Sequence, residues 1–212
     1  MIRRVIYILA ICLIWPTGIA LGDNLVVNGS FEMTDGNPFS DNGFIYYYTF
    51  PGWTFSGYFD KNTLIVPGSW SSLLPVAGNY QAVFGSIGLP AAISQTLPTS
   101  SSNVYDLSFW LANDDGPDNA LTVTLGGNTI LTLSNQQPFL WKFYEFNGLS
   151  VGDAAILEFS AYNTPGYFHI DAISFEEVPE PVSFCLFSTG VIIISGMNWR
   201  RGSVRASMPG SN

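Results

Sequence analysis

The chain has 212 residues, 47% hydrophobic and only 11% charged, with a formal net charge of −9. Between Asp23 and Val178 just two lysines, Lys61 and Lys142, stand against fifteen carboxylates, a net −13 for that stretch. Such a surface repels phosphate backbones, which argues against nucleic-acid binding, and it suits neutral sugars, divalent cations and solubility outside the cell.

The first 22 residues read as a secretory signal. Arg3 and Arg4 make a basic n-region, residues 5–15 an apolar h-region, and Pro16 ends the helix. Ala20-Leu21-Gly22 then places small residues where a signal peptidase inspects the chain. The pattern predicts a signal helix cleaved before Asp23 and export through the Sec pathway, with an uncleaved N-terminal anchor as the alternative. Cys12 falls in this segment and Cys185 near the other end, so the exported domain, residues 23–177, has no disulfide and depends on its core.

Residues 23–177 carry a β pattern throughout. Short apolar runs at 24–27, 44–50, 53–59, 63–66, 80–84 and 91–97 are separated by Gly, Pro, Asn and Asp. In "VYDLSFWLA" (104–112), Tyr105, Leu107, Phe109 and Leu111 share one face. In "ALTVTL" (120–125), Leu121, Val123 and Leu125 alternate with threonines, and Gly126-Gly127 predicts a tight turn into residues 128–134. Further strands are expected at 140–146, 154–161 and 167–175. No segment sustains helical periodicity, and there is no Cys…Trp…Cys spacing of an immunoglobulin domain. The expected fold is an all-β jelly-roll sandwich.

Several residues invite a chemical role. Residues 41–59 are dense in aromatics, and flat sugar faces pack their C–H groups on such rings. Tyr47, Trp53, Tyr58 and Trp70 are the ligand-binding candidates; strand alternation offers the core as the alternative for each. His169 is the only histidine, so a zinc site would need several carboxylates, and no nucleophile-elbow motif accompanies it. Asp114, Asp115 and Asp118 occupy a turn-rich loop too short for an EF-hand and fit a solvated acidic hairpin. No pair among the fifteen carboxylates can be placed at glycosidase spacing from sequence. A non-catalytic protein is the expectation.

The end of the chain is built differently. Val182 to Trp199 is 18 residues without a charge, followed by Arg200, Arg201 and Arg205. As a helix it covers roughly 27 Å, enough for a hydrocarbon core, and the arginines orient the acidic domain outward. Pro179 and Pro181 keep the preceding residues extended and accessible. Pro179-Glu180-Pro181, an apolar helix (182–199) and a basic tail (200–212) together resemble the PEP-CTERM sorting signal of Gram-negative bacteria. That resemblance makes 178–212 a sorting segment, with Pro179, Glu180, Pro181, Arg200 and Arg201 as its processing residues. It implies an exosortase-type membrane enzyme as partner and an inner-membrane intermediate. The cell surface or extracellular matrix follows as destination, in the company of exopolysaccharide.

A second resemblance covers most of the exported domain. "NLVVNGSFE" (24–32), "ISQTLPTSSSNVYDLSFWLAND" (93–114) and "YFHIDAISFEEV" (167–178) resemble strands of galactose-binding-like jelly rolls, a superfamily with many carbohydrate-binding modules. The resemblance implies a structural Ca²⁺ shared by the first and last strands, held by Glu32, Asp171 and the Gly29 carbonyl. The alternative is that both carboxylates are solvated or accept nearby backbone N–H groups. The expected role is binding or organising extracellular polysaccharide. A matrix or adhesion protein without a sugar site, or a glycoside hydrolase, is the alternative.

Overall fold

The computed structural model describes residues 22–41, 44–58 and 61–179. The signal helix, the terminal apolar segment, Glu180, Pro181, Arg200 and Arg201 lie outside the described residues. The strands are β1 (Phe39–Asp41), β2 (Phe44–Tyr46), β3 (Thr54–Gly57), β4 (Thr63–Pro67), β5 (Tyr80–Phe84) and β6 (Ala91–Thr96). They continue with β7 (Val104–Asn113), β8 (Asp118–Leu125), β9 (Asn128–Ser134), β10 (Phe139–Ser150), β11 (Ile156–Thr164) and β12 (Phe168–Glu177). A single 3₁₀ turn, Gly68–Trp70, is the one helical piece among the described residues.

Apart from the β1–β2 ribbon, the strands form two antiparallel five-stranded sheets, β10-β7-β12-β5-β4 and β3-β6-β11-β8-β9. From β5 onward every connection crosses between the sheets except the β8–β9 hairpin. That is jelly-roll connectivity. The hairpin turn is the one the glycine pair predicts, with Gly126 at φ 56° and Gly127 at φ 81°, the positive pair a type I′ turn needs.

Alternation fills the space between the sheets. Tyr105, Leu107, Phe109 and Leu111 of β7 are at most 1% exposed, as are Leu121 and Val123 of β8 and Leu157 and Phe159 of β11. Phe109 stacks on Tyr144 at 5.5 Å and on Phe146 at 6.1 Å, both on neighbouring β10, and meets Phe159 of the other sheet edge-on at 5.1 Å. Burying each such ring contributes about 1.5–3 kcal/mol.

One expected strand does not form. Residues 24–27 run beside β12, with the Leu25 N–H donating to Phe175 O and the Ile173 N–H to Gly29 O. The chain then turns, because Asn28 and Phe31 have φ of 56° and 58°. Asn28 stabilises that turn: its Oδ1 accepts the Met33 N–H, and its Nδ2 donates to Met33 O and Pro51 O. Gly29 is required by space, since a Cβ there would lie 2.1 Å from Ile173 O.

Candidate functional site: the outer face of the β10-β7-β12-β5-β4 sheet

If Phe109, Leu111 and Tyr144 point into the core, then Trp110 and Phe143 must point out. Strand register brings them together, with Phe143 opposite Trp110 and Trp110 opposite Asp171. Their ring centroids are 5.3 Å apart, tilted by 49°. Phe143 is 51% exposed and Trp110 half-buried. The next outward row is Glu145, Ser108 and Ser174, and the row beyond pairs Asp106 with Glu176. An aromatic floor thus borders two rows of hydrogen-bonding groups, none of them cationic.

Over β12 and β5 the same face is covered by residues 68–79. Asp171 holds this loop down: Oδ2 accepts the Val76 and Ala77 N–H groups at 2.7 and 2.9 Å, and Oδ1 the Ala172 N–H at 2.6 Å. Burial pushes the Asp171 carboxyl up to about 6; the three N–H groups oppose that rise, and the nearby Glu32 charge adds to it. Glu32 holds the loop's far end, its Oε1 accepting the Asn79 and Tyr80 N–H groups at 2.8 Å each. Exposed Leu74 and Val76 form the edge of this loop.

Beneath the loop runs a buried polar relay. The Gln81 Nε2 donates to Leu73 O at 2.7 Å, which turns its Oε1 toward His169 Nδ1 at 3.1 Å. His169 Nε2 faces Asp114 Oδ2 at 3.1 Å, and Asp114 Oδ1 accepts the Tyr167 N–H. His169 and Gln81 are fully buried, and Trp70 and Trp141 pack around the imidazole at 6.3 and 6.2 Å. The Trp141 Nε1 donates to Leu74 O, tying the loop to β10. Where the relay ends, Ser72 and Leu73 face Phe139 and Leu140 across a cavity of about 240 Å³ whose wall includes Asn113 and Asp114.

These placements correct part of the sequence expectation. Tyr47 and Trp53 are core rings, each 8% exposed. Tyr47 packs edge-on against Tyr80, and Trp53 lies between Phe31 and Phe159, its Nε1 donating to Asn28 O. Tyr47 is held by a bridge to Ile65, and Trp53 sits in the turn its backbone N–H closes on Phe50 O, where a carbonyl is available for the indole N–H. Tyr58 is exposed beyond the edge strand β3 of the other sheet, and Trp70 is half-buried against Tyr167. The acidic loop is solvated at Asp115 and Asp118, whereas Asp114 joins the relay. Trp110, outside the sequence candidates, is an outward ring in the clearest alternating strand.

Glu32, Asp171 and Gly29 lie where the first segment meets β12, and the Gly29 carbonyl accepts the Ile173 N–H. Both carboxylates accept backbone N–H groups of one loop. Among the described residues no group of three or more His, Cys, Asp or Glu side chains is gathered for a metal.

The two-sheet jelly roll is similar in fold to a solved carbohydrate-binding module. No protein-family model matches the chain, and no curated protein matches it. Among solved structures it is similar to TmCBM61, determined in complex with β-1,4-galactotriose, at 23% identity and a TM-score of 0.54. That match covers 73% of this chain and 98% of the other. The chain is also similar to the family 16 carbohydrate-binding module-2, at 16% identity and TM-score 0.46 over 72% of this chain and 99% of that one. A third match is the CBM22-1 xylan-binding domain of Paenibacillus barcinonensis Xyn10C, at 15% identity and TM-score 0.42, covering 76% and 97%. At these identities the likeness is one of fold.

Proposed function

We propose that the domain binds neutral polysaccharide outside the cell, without catalysis, on the platform formed by Trp110 and Phe143. The outward aromatic pair carries this proposal. Two rings at 5.3 Å offer a floor for the C–H faces of successive sugars, and Ser108, Glu145 and Ser174 beside them accept hydroxyl protons. The galactotriose held by TmCBM61 is a ligand of this chemical kind. Lys61 and Lys142 are the only lysines between residues 23 and 178, and that stretch has no arginine, so little attracts uronate or sulfate.

The test is affinity electrophoresis of the full chain in gels carrying β-1,4-galactan, xylan or a polyuronate. Retention is expected on a neutral polymer. Trp110→Ala and Phe143→Ala should abolish it while shifting stability by at most about 1 kcal/mol, because neither ring supports the core. Retention that survives both substitutions, or none on any polymer, overturns the proposal and favours a sugar-blind scaffold.

Delivery belongs to the same proposal. Residues 1–22 direct export, and 178–212 act as the PEP-CTERM-like sorting segment on which an exosortase-type enzyme works. Replacing Pro179-Glu180-Pro181 by alanines should leave the protein uncleaved in the inner membrane; normal release sinks this part. A calcium ion at Glu32, Asp171 and the Gly29 carbonyl is also proposed, since carboxylate oxygens keep lone pairs beyond the N–H bonds they accept.

A further inference from the structure

Resting on the sugar-binding proposal, we infer that the cavity between Leu73 and Leu140 is a second subsite that takes a single sugar ring, anchored by the Asp114 carboxylate. Its volume of about 240 Å³ is below the roughly 300 Å³ at which drug-sized sites begin, which suits one ring rather than a chain. Leu73, Phe139 and Leu140 offer apolar walls for C–H faces, and Asp114 offers an acceptor for a pair of hydroxyls.

The Asp114 carboxylate is set in place from behind. The Tyr167 N–H holds one oxygen and His169 Nε2 faces the other, while the side chain stays 30% exposed. The buried relay also ends at the cavity on both sides. Gln81 grips the Leu73 carbonyl and His169 meets Asp114, so one hydrogen-bonded chain spaces the Leu73 wall from the carboxylate. Replacing such buried partners by apolar groups of like shape is often nearly neutral for stability, so the relay's effect lies in orientation. His169 is a positioning residue that acts through Asp114. The cavity is lined by Phe139 and Leu140 and the platform by Phe143 and Trp110, with Trp141, bonded to Leu74 O, between them along β10; they share no lining residue.

The experiment titrates the full chain in detergent with galactose, glucose and xylose and with their β-1,4-linked trimers, by calorimetry. The wild type is expected to bind at least one of the monosaccharides. Asp114→Asn and Leu140→Ser should each weaken that binding at least tenfold, and Leu140→Ser, at the surface, should do so with the melting temperature unchanged. Trp110→Ala should spare the monosaccharide and weaken the trimer. His169→Gln should weaken the monosaccharide in the wild type and add nothing further in Asp114→Asn, whatever it does to melting. Trimer binding that Trp110→Ala abolishes but Asp114→Asn and Leu140→Ser leave intact overturns the second subsite alone. Absence of any sugar binding by the wild type overturns the subsite together with the proposal beneath it.

Discussion

The two sheets are alike on the inside and unlike on the outside. Facing outward on the β3-β6-β11-β8-β9 sheet are Ser94, Glu158 and Thr124 in one row and Ala92, Ser160 and Thr122 in the next. These are short hydroxyls, a methyl and one carboxylate, with exposed Ile156 and half-buried Tyr162 outward at either end of β11. Outward on the other sheet stand Phe143, Trp110 and Asp171 in a row, with buried His169 and Gln81 alongside. Inward positions on both sheets follow from the same alternation and the same demand for apolar burial. Outward positions are free of that demand, so rings and buried charges there call for another cause. A cover loop supplies it over β12 and β5. Over β7 and β10 the proposed polysaccharide would supply it.

The largest effect that separates inside from outside falls at Trp53. Trp53→Ala should cost about 3–5 kcal/mol, since it removes a ring packed between Phe31 and Phe159. Thr122→Ala, on the plain outer face, should stay within about 0.5 kcal/mol. Urea unfolding of the two variants against wild type measures both. Equal midpoints would return Trp53 to the surface and with it the original expectation for the 41–59 stretch.

Trp53 also shows what the sequence could disclose. Strands β7, β8 and β12 and the Gly126-Gly127 turn were legible because alternation and turn chemistry are local. Trp110 was legible in direction too, since Tyr105, Leu107, Phe109 and Leu111 claim the opposite face. Its partner was not. Phe143 comes from a strand where both faces carry aromatics, and only the β7–β10 register sets it beside Trp110. The aromatic density of 41–59 misdirected attention, because a crowded stretch can be crowded on behalf of the core. Residues 24–27 failed as a strand for a similar reason: the turn at Asn28 is made by side-chain bonds to Met33 and Pro51, the latter 23 residues away. The relay of Gln81, His169 and Asp114 joins three elements, and nothing in any one of them announces it.

A smaller effect sharpens the boundary between the covered and open halves of the outer face. Asp171→Asn keeps one acceptor oxygen for Val76 and Ala77 but turns an amide toward the Ala172 N–H, at a cost of about 1–3 kcal/mol. Its pH dependence has a definite sign. Burial raises the Asp171 carboxyl from the ordinary 3.8 to about 6, so the folded chain binds this proton more tightly than the unfolded one. The stability this proton contributes is complete below 3.8 and is lost as pH rises to about 6. Wild type should therefore lose unfolding free energy across that window relative to Asp171→Asn, with the difference constant at higher pH. Parallel curves through the window would mean that the N–H groups already offset burial. The same measurement probes calcium: a cation at Glu32 and Asp171 favours the carboxylate, so added Ca²⁺ should flatten the slope and raise the melting temperature. EDTA should restore both, and curves identical in calcium and EDTA would leave the loop pinned by N–H groups alone.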